Sequence, residues 1–267
     1  MLRTEERNES SRHLSELSTL EMSRLVIRAN YEAVAAVEAA SEEIARAVDA
    51  IAIAFKNGGH LLYVGAGTSG RLGVMDAAEC PPTFGVPYDT VRGIIAGGND
   101  RMFRAGENEE DKYESGVRDI RECGITPLDV VVGISAAGGA SYVIGALEEA
   151  HRLGATTVGI SSNPDTAVLR ASDIPIFVDT GAEVLTGSTR LKAGTAQKII
   201  LNTLSTCAMA KTGKVYENMM INLAPSNEKL RLRVMRITRE ILGCDEAEAI
   251  RRLEANGWRI RAAIEAD

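Results

Sequence analysis

Groups able to do chemistry are concentrated in a few short stretches of this chain. The first is GAGTSG (65–70), which follows an apolar run and opens a helical pattern carrying Leu72, Val74 and Met75. Glycines at such a turn let the backbone approach a ligand closely, and the free N–H groups and positive dipole end of the helix suit an anion. Beside Gly67, Thr68 and Ser69 add hydroxyl donors. No lysine follows the last glycine, so this is not a Walker loop. No acidic residue ends a second strand at the distance a dinucleotide fold requires. Phosphate on a small molecule fits best, against the plainer alternative of a turn that only packs a strand on a helix. The helical pattern ends at DAAECPP (76–82), where the double proline is expected to stop it close to the same pocket. The Glu79 carboxylate there is either helix-end polarity or a catalytic acid held near the phosphate.

Three further stretches carry polar groups. SAAGGAS (135–141) is a second small-residue loop between a strand and a helix, offering Gly138, Gly139 and Ser141. Residues 180–198 bring Glu183, Ser188, Thr189, Arg190 and Lys192 to the start of a long apolar helix, where cations and hydroxyls again suit an anion. ENEED (107–111) gathers four carboxylates, the usual composition of a solvated helix start.

The elements that must hold these groups read as an α/β fold. Apolar strands are expected at 61–64, 91–96, 129–134, 155–160 and 174–178, each followed by a turn and most by a helical pattern. That alternation predicts a five-stranded parallel sheet covered on both faces, a three-layer α-β-α sandwich. Ligands of such sheets sit at the carboxyl ends of the strands, which places both glycine loops and the Ser161-Ser162 turn along one edge. Residues 1–20 are polar and read as an arm or cap. Helical periodicity from 21 to 55 breaks near Ala40-Ser41, giving two helices. The expected division is 1–56 for the arm and first helices, 57–212 for the sheet domain, and 213–267 for a connector and small C-terminal helices. In that last part, 218–223 is an edge strand or a cap on the site, and Trp258 is a packing anchor.

Composition narrows the function classes. A net charge of −7 over 267 residues, with only 4% aromatic residues, leaves no footprint for nucleic acid. Four scattered cysteines read as reduced thiols, and three histidines without mutual spacing give no metal site. With no signal peptide and no membrane-length apolar run, a cytoplasmic protein is expected.

GAGTSGRLGVMDAAECPPTFG (65–85), TGSTRLKAGTAQK (186–198) and GKVYENMMIN (213–222) together strongly resemble the N-acetylmuramic acid 6-phosphate etherases, members of the sugar-isomerase (SIS) fold group. The likeness covers nearly the whole chain. It implies a five-stranded SIS domain and cleavage of the ether between D-lactate and C3 of the amino sugar phosphate. It further implies a homodimer whose partner completes the site, and chemistry that needs no metal or redox cofactor. The family's two catalytic glutamates fall on Glu79, as proton donor to the lactate oxygen, and on Glu110, as base at C2, with Glu107 and Glu109 as alternative registers for the base. One departure stands out. Where the family commonly reads AASGRTPY, this chain has Ala136-Ala-Gly-Gly-Ala-Ser-Tyr142, so a serine, an arginine and a threonine are replaced by Ala137, Gly139 and Ala140. Each lost hydrogen bond to a charged group is worth roughly 1.5–3 kcal/mol. Two alternatives follow from the same fold group: a non-catalytic phosphosugar-binding regulator, favoured by the altered loop, and an aldose–ketose isomerase, which needs no donor such as Glu79.

Overall fold

The computed structural model describes residues 2–106, 108–223, 225 and 227–266. Short runs rich in Val, Ile and Leu form β1 (Leu61–Gly65), β2 (Val91–Ile95), β3 (Val130–Ile134), β4 (Thr156–Ser161) and β5 (Ile174–Phe177). They pair in the order β2-β1-β3-β4-β5, all parallel. β1 and β3 are buried at every position, as the central strands of a doubly covered parallel sheet must be. Side chains alternate between the faces. Leu61, Tyr63, Val130, Val132 and Ile134 enter one apolar cluster, and Leu62, Val64 and Val131 enter the other.

The first cluster is closed by α1 (Thr19–Ala39), α2 (Ser41–Lys56), α3 (Gly67–Phe84) and α7 (Lys192–Lys211), through residues such as Val37, Ile51, Cys80 and Leu204. The second is closed by α4 (Tyr113–Glu122), α5 (Ser141–Arg152) and α6 (Ala167–Arg170), through Ile120, Leu147 and Val168. α1 begins in a capping box, with Ser18 and Glu21 each satisfying the other's backbone N–H, and gives way to α2 at Ala40. The expected break lies there.

The double proline, expected to stop α3, does not. Pro81 and Pro82 lie within the helix, which continues to Phe84 and ends at Gly85 with φ 63°. Proline's fixed φ is itself helical, and the buried Cys80 and Phe84 on either side hold the last turn against the core. At Gly85 any Cβ would fall 1.9 Å from the Asn222 carbonyl oxygen, so only glycine fits this left-handed cap.

The polar N-terminal arm folds onto the molecule as three short 3-10 turns. Thr4 is completely buried. Its N–H donates to Asn163 Oδ1 (3.3 Å), and Asn163 Nδ2 donates to Thr4 Oγ1 (3.0 Å). Asn8 and Ser11 donate to the carbonyls of Ala182 and Val184. At the other end, a hairpin of β6 (Val215–Tyr216) and β7 (Met219–Met220) precedes α8 (Glu228–Leu242), α9 (Glu246–Ala255) and α10 (Ile260–Glu265). Ile221, Leu223, Val234, Leu253 and Ile260 make a separate small core there. Trp258 packs on it, its ring 5.1 Å from the Arg231 guanidinium.

Candidate active site

Three loops meet at the carboxyl edge of the sheet. The first leaves β1 and opens α3. Gly70 lies so close to β2 that a Cβ would come within 2.7 Å of both Gly65 O and an Ile95 side-chain carbon, so this glycine serves strand–helix packing. Gly67 is exposed, with nothing within 4 Å of where a Cβ would stand, and leaves the helix N-terminus open. Thr68 is half-buried, and its methyl group lies 3.7 Å from the Cβ position of Gly194 in the first turn of α7. Ser69 is buried and donates to Gln197 Oε1 at 2.9 Å. Gly70 thus serves packing, while Gly67 and Thr68 are the residues of this loop left at the open helix end.

The second loop joins β3 to α5. Gly138 has φ 76° and packs so tightly on Thr166 that a Cβ would lie 2.4 Å from its side chain. Its N–H donates to Ser135 Oγ at 3.1 Å, so this expected ligand donor is spent inside the loop. Gly139 is exposed and Ser141 half-buried at the start of α5. The loop is anchored from behind by Asn163, whose Nδ2 donates to the Ala136 carbonyl at 3.2 Å.

The acidic stretch is not a helix start. Residues 108–112 form a turn, with Asn108 left-handed at φ 62°, and α4 begins only at Tyr113. The cause is tertiary: the Glu110 carbonyl accepts the Tyr142 N–H at 2.9 Å, which draws this segment across to the first turn of α5. Of the three candidate bases, Glu109 is held by Lys112 (3.0 Å) and Arg101 (3.7 Å). Glu110 is exposed and forms no ion pair among the described residues, and Glu107 lies outside them. Glu110 is thus the candidate placed beside the second loop with its carboxylate uncommitted.

The third stretch departs most from expectation. Glu183 is fully buried, and its two carboxylate oxygens accept the N–H groups of Lys192 (2.9 Å) and Ala193 (3.0 Å). The start of α7 already holds an anion, and it belongs to the chain. Lys192 is 1% exposed, with Nζ donating to Glu32 Oε2 at 2.7 Å. Both residues, expected to line the substrate, are committed to joining α7 with α1 and the preceding segment. Ser188 and Thr189 are half-buried just ahead of α7, and Thr189 O accepts the Gly194 N–H at 3.0 Å. They remain candidates beside Thr68.

Glu79 is not near these loops. Helix α3 runs from Gly67 through Glu79 and carries this exposed carboxylate roughly 18 Å along its axis, at about 1.5 Å per residue. That is beyond the reach of one amino sugar phosphate seated on the first loop. Within a single chain, Glu79 and Glu110 do not meet.

One polar cluster was not read from the sequence as a unit. Asp76, one turn before Glu79, is buried and accepts hydrogen bonds from Tyr63 OH (2.9 Å), Asn202 Nδ2 (2.6 Å) and Ser205 Oγ (3.2 Å). Burial raises the Asp76 carboxyl above its ordinary value, the three donors opposing this only in part. Burial, then the neighbouring Asp76, pushes the Cys80 thiol up to about 12, which leaves it inert as a nucleophile. Asn202 and Ser205 stand three residues apart on one face of α7. That spacing was the available signal.

The parallel five-stranded sheet in the order β2-β1-β3-β4-β5, with helix N-termini and hydroxyl-bearing loops along its carboxyl edge, is a doubly wound α/β arrangement. Its likenesses to known proteins place it in the SIS class of phosphosugar proteins. Residues 43–151 match the model of the glucokinase regulatory protein N-terminal SIS domain. Among solved structures, a phosphoheptose isomerase from Francisella tularensis superposes with a TM-score of 0.57 at 18% identity, over 73% of this chain and 100% of that one. Among curated proteins, the N-acetylmuramic acid 6-phosphate etherase of Symbiobacterium thermophilum is 50% identical, over 98% of this chain and 87% of that protein. The etherase of Clostridium botulinum strain Loch Maree is 48% identical over 98% of this chain and 86% of its own. The chain belongs to the N-acetylmuramic acid 6-phosphate etherase family.

Proposed function

We propose that this protein is a carbon–oxygen lyase that cleaves the D-lactyl ether of N-acetylmuramic acid 6-phosphate, giving N-acetylglucosamine 6-phosphate and D-lactate. The carrying observation is the 50% identity to an etherase over 98% of the chain, with the ECPP glutamate present at Glu79. The open-chain sugar is an aldehyde, which acidifies its C2 proton. A base removes that proton, the C3–oxygen bond breaks with its electron pair leaving on the lactate oxygen, and an acid protonates that oxygen. Water then adds across the unsaturated aldehyde. General acid–base catalysis of this kind needs a base within reach of the C2 proton and an acid within reach of the departing C3 oxygen.

Glu110 takes the role of base, and Glu79 that of donor. The phosphate lies on the N-termini of α3 and α5, with Thr68, Ser141 and Thr189 as hydroxyl donors and the N–H groups of Gly67 and Gly139. Since Glu79 stands a helix length from those loops, the donor comes from a second copy of the chain, in a homodimer. An exposed apolar stripe on α1, formed by Leu20, Ile27, Tyr31 and Val34 at helical spacing, supports such an assembly. The free cysteines and a phosphorylated substrate accord with a cytoplasmic setting.

Incubation with N-acetylmuramic acid 6-phosphate in deuterated water, following lactate release and deuterium at C2, tests the chemistry. Lactate release by the wild type, lost in Glu79→Gln while C2 exchange survives, is the expected result. Mixing Glu79→Gln with Glu110→Gln subunits tests the shared site, because one intact pair per dimer restores turnover. A regulator on the same fold has one observation in its favour, the loss of side chains at Ala137, Gly139 and Ala140. It is the conclusion if the sugar binds and neither lactate nor exchange follows.

A further inference from the structure

We propose that a cleft at the carboxyl end of β2 recognises the carboxylate of the lactyl group, with Arg101 as its principal contact. The inference rests on the etherase reading and extends it to the second anionic group of the substrate. The cleft has a volume of about 580 Å³ and is lined by Gly97, Asp100, Arg101, Phe103 and Arg104. Its position follows from two tethers. Arg71, in α3 just beyond the first loop, donates from Nε to the Met102 carbonyl at 3.0 Å, and the Glu110 carbonyl holds the far end of the same segment on α5. The cleft therefore lies between the first loop and the residue assigned as base.

Two cations around the start of α7 are placed elsewhere. Lys192 is buried against Glu32, and Arg190 precedes α7 on the face of the sheet opposite α4 and α5. Neither glycine loop contains a lysine or arginine. Arg101 differs. Its stem runs between two glycines, with the Cβ position of Gly97 2.9 Å from its Cγ and that of Gly106 2.6 Å from its Nε. Any side chain at either place would displace it. Its Nε is buried with no hydrogen-bond partner among the described residues, and one terminal nitrogen is 3.7 Å from Glu109. The guanidinium is thus incompletely paired, and the loosely held terminal nitrogens of its fork are the donors that a carboxylate in the cleft would take. Glu109 is a loose occupant of that fork and keeps Lys112 at 3.0 Å if it yields. Phe103, 91% exposed, offers the lactyl methyl an apolar wall. Arginine suits this task better than lysine because its planar fork matches a carboxylate in two bonds.

The test compares two ligands that differ in the lactyl group. Binding of N-acetylmuramic acid 6-phosphate, under conditions too brief or too cold for turnover, and of N-acetylglucosamine 6-phosphate is measured by calorimetry on wild type, Arg101→Ala and Arg101→Lys. The expected result is about a tenfold or greater loss for the muramic ligand in Arg101→Ala, a smaller loss in Arg101→Lys, and less than about a twofold change for the glucosamine ligand in both. Equal losses for the two ligands, or none for either, overturn the proposal. Lactate release is assayed separately, so a wild type that binds with this selectivity but releases no lactate refutes the lyase reading and leaves the carboxylate subsite standing.

Discussion

The N-termini of α5 and α7 point at the same edge of the sheet and differ in what fills them. α7 is closed from within: Glu183, nine residues upstream of Lys192, places its carboxylate on the first N–H groups of the helix. Among the described residues α5 receives a neutral carbonyl, that of Glu110 on Tyr142, with Gly139 exposed and Ser141 half-buried beside it. The two ends have the same dipole and similar small, polar residues. A helix N-terminus is a place for an anion in both cases, but only one of them is left for a ligand. What decides is whether the chain can return a carboxylate of its own.

The contrast is broken most forcefully at Glu110. Glu110→Gln is expected to lower kcat for lactate release by roughly 10²–10⁴-fold, with an unchanged urea unfolding midpoint. A larger loss in Glu109→Gln would move the base by one residue and break the assignment. The reverse pattern is expected at the closed end. Glu183→Ala leaves two buried N–H groups without an acceptor and should cost about 2–4 kcal/mol of stability in urea unfolding, with sugar phosphate affinity retained at temperatures where the protein is folded. A stable Glu183→Ala protein that fails to bind ligand would return Glu183 to the substrate site. A smaller effect is expected for single hydroxyls. Ser141→Ala should weaken N-acetylglucosamine 6-phosphate by about tenfold at most in calorimetry, the neutral cap on α5 being unaffected.

The buried carboxylates sharpen the comparison through pH. Glu183 is met by backbone N–H groups, whereas Asp76 is met by three side-chain donors and burial still raises its carboxyl above the ordinary value. A raised carboxyl binds its proton more tightly folded than unfolded. Its contribution is therefore fully present below the unfolded value, near about 4, and is lost as pH rises through the higher folded one. Asp76→Asn removes that titration. Urea midpoints measured upward from about pH 4 should fall in the wild type relative to the variant and then run parallel. Parallel behaviour across the whole window would show that the donors, not burial, govern Asp76.

Much of the frame was legible because it depends on local pattern. Each strand is an apolar run bounded by turn residues, and the alternation with helices leaves few topologies open. The loops at 65–70 and 135–141 were legible for the same reason. The occupancy of those loops was not, because it is set by tertiary contacts. Nothing near Lys192 in sequence shows that Glu183 turns back to cap it, and nothing near Glu32 shows that a lysine from α7 will seek it. The acidic stretch at 107–111 has the composition of a helix start, yet α5 claims the Glu110 carbonyl for a turn. The place of Glu79 is set by helix length and not by the prolines. Twelve positions of α3 separate it from Gly67 before Pro81 and Pro82 are reached. The burial of Cys80 and Phe84 only carries the last turn past them.

The bond pair between Thr4 and Asn163 spans 159 positions in the chain. During synthesis the arm is made before the sheet and lacks this partner until β4 and the turn after it have left the ribosome. The sheet, by contrast, can begin with β1 and β2 and grow outward as β3 and β4 arrive. The arm, made before the sheet, is thus among the last parts to settle. When they do, they fasten the loop behind Ala136, so the second glycine loop acquires its final shape only after most of the protein has been assembled.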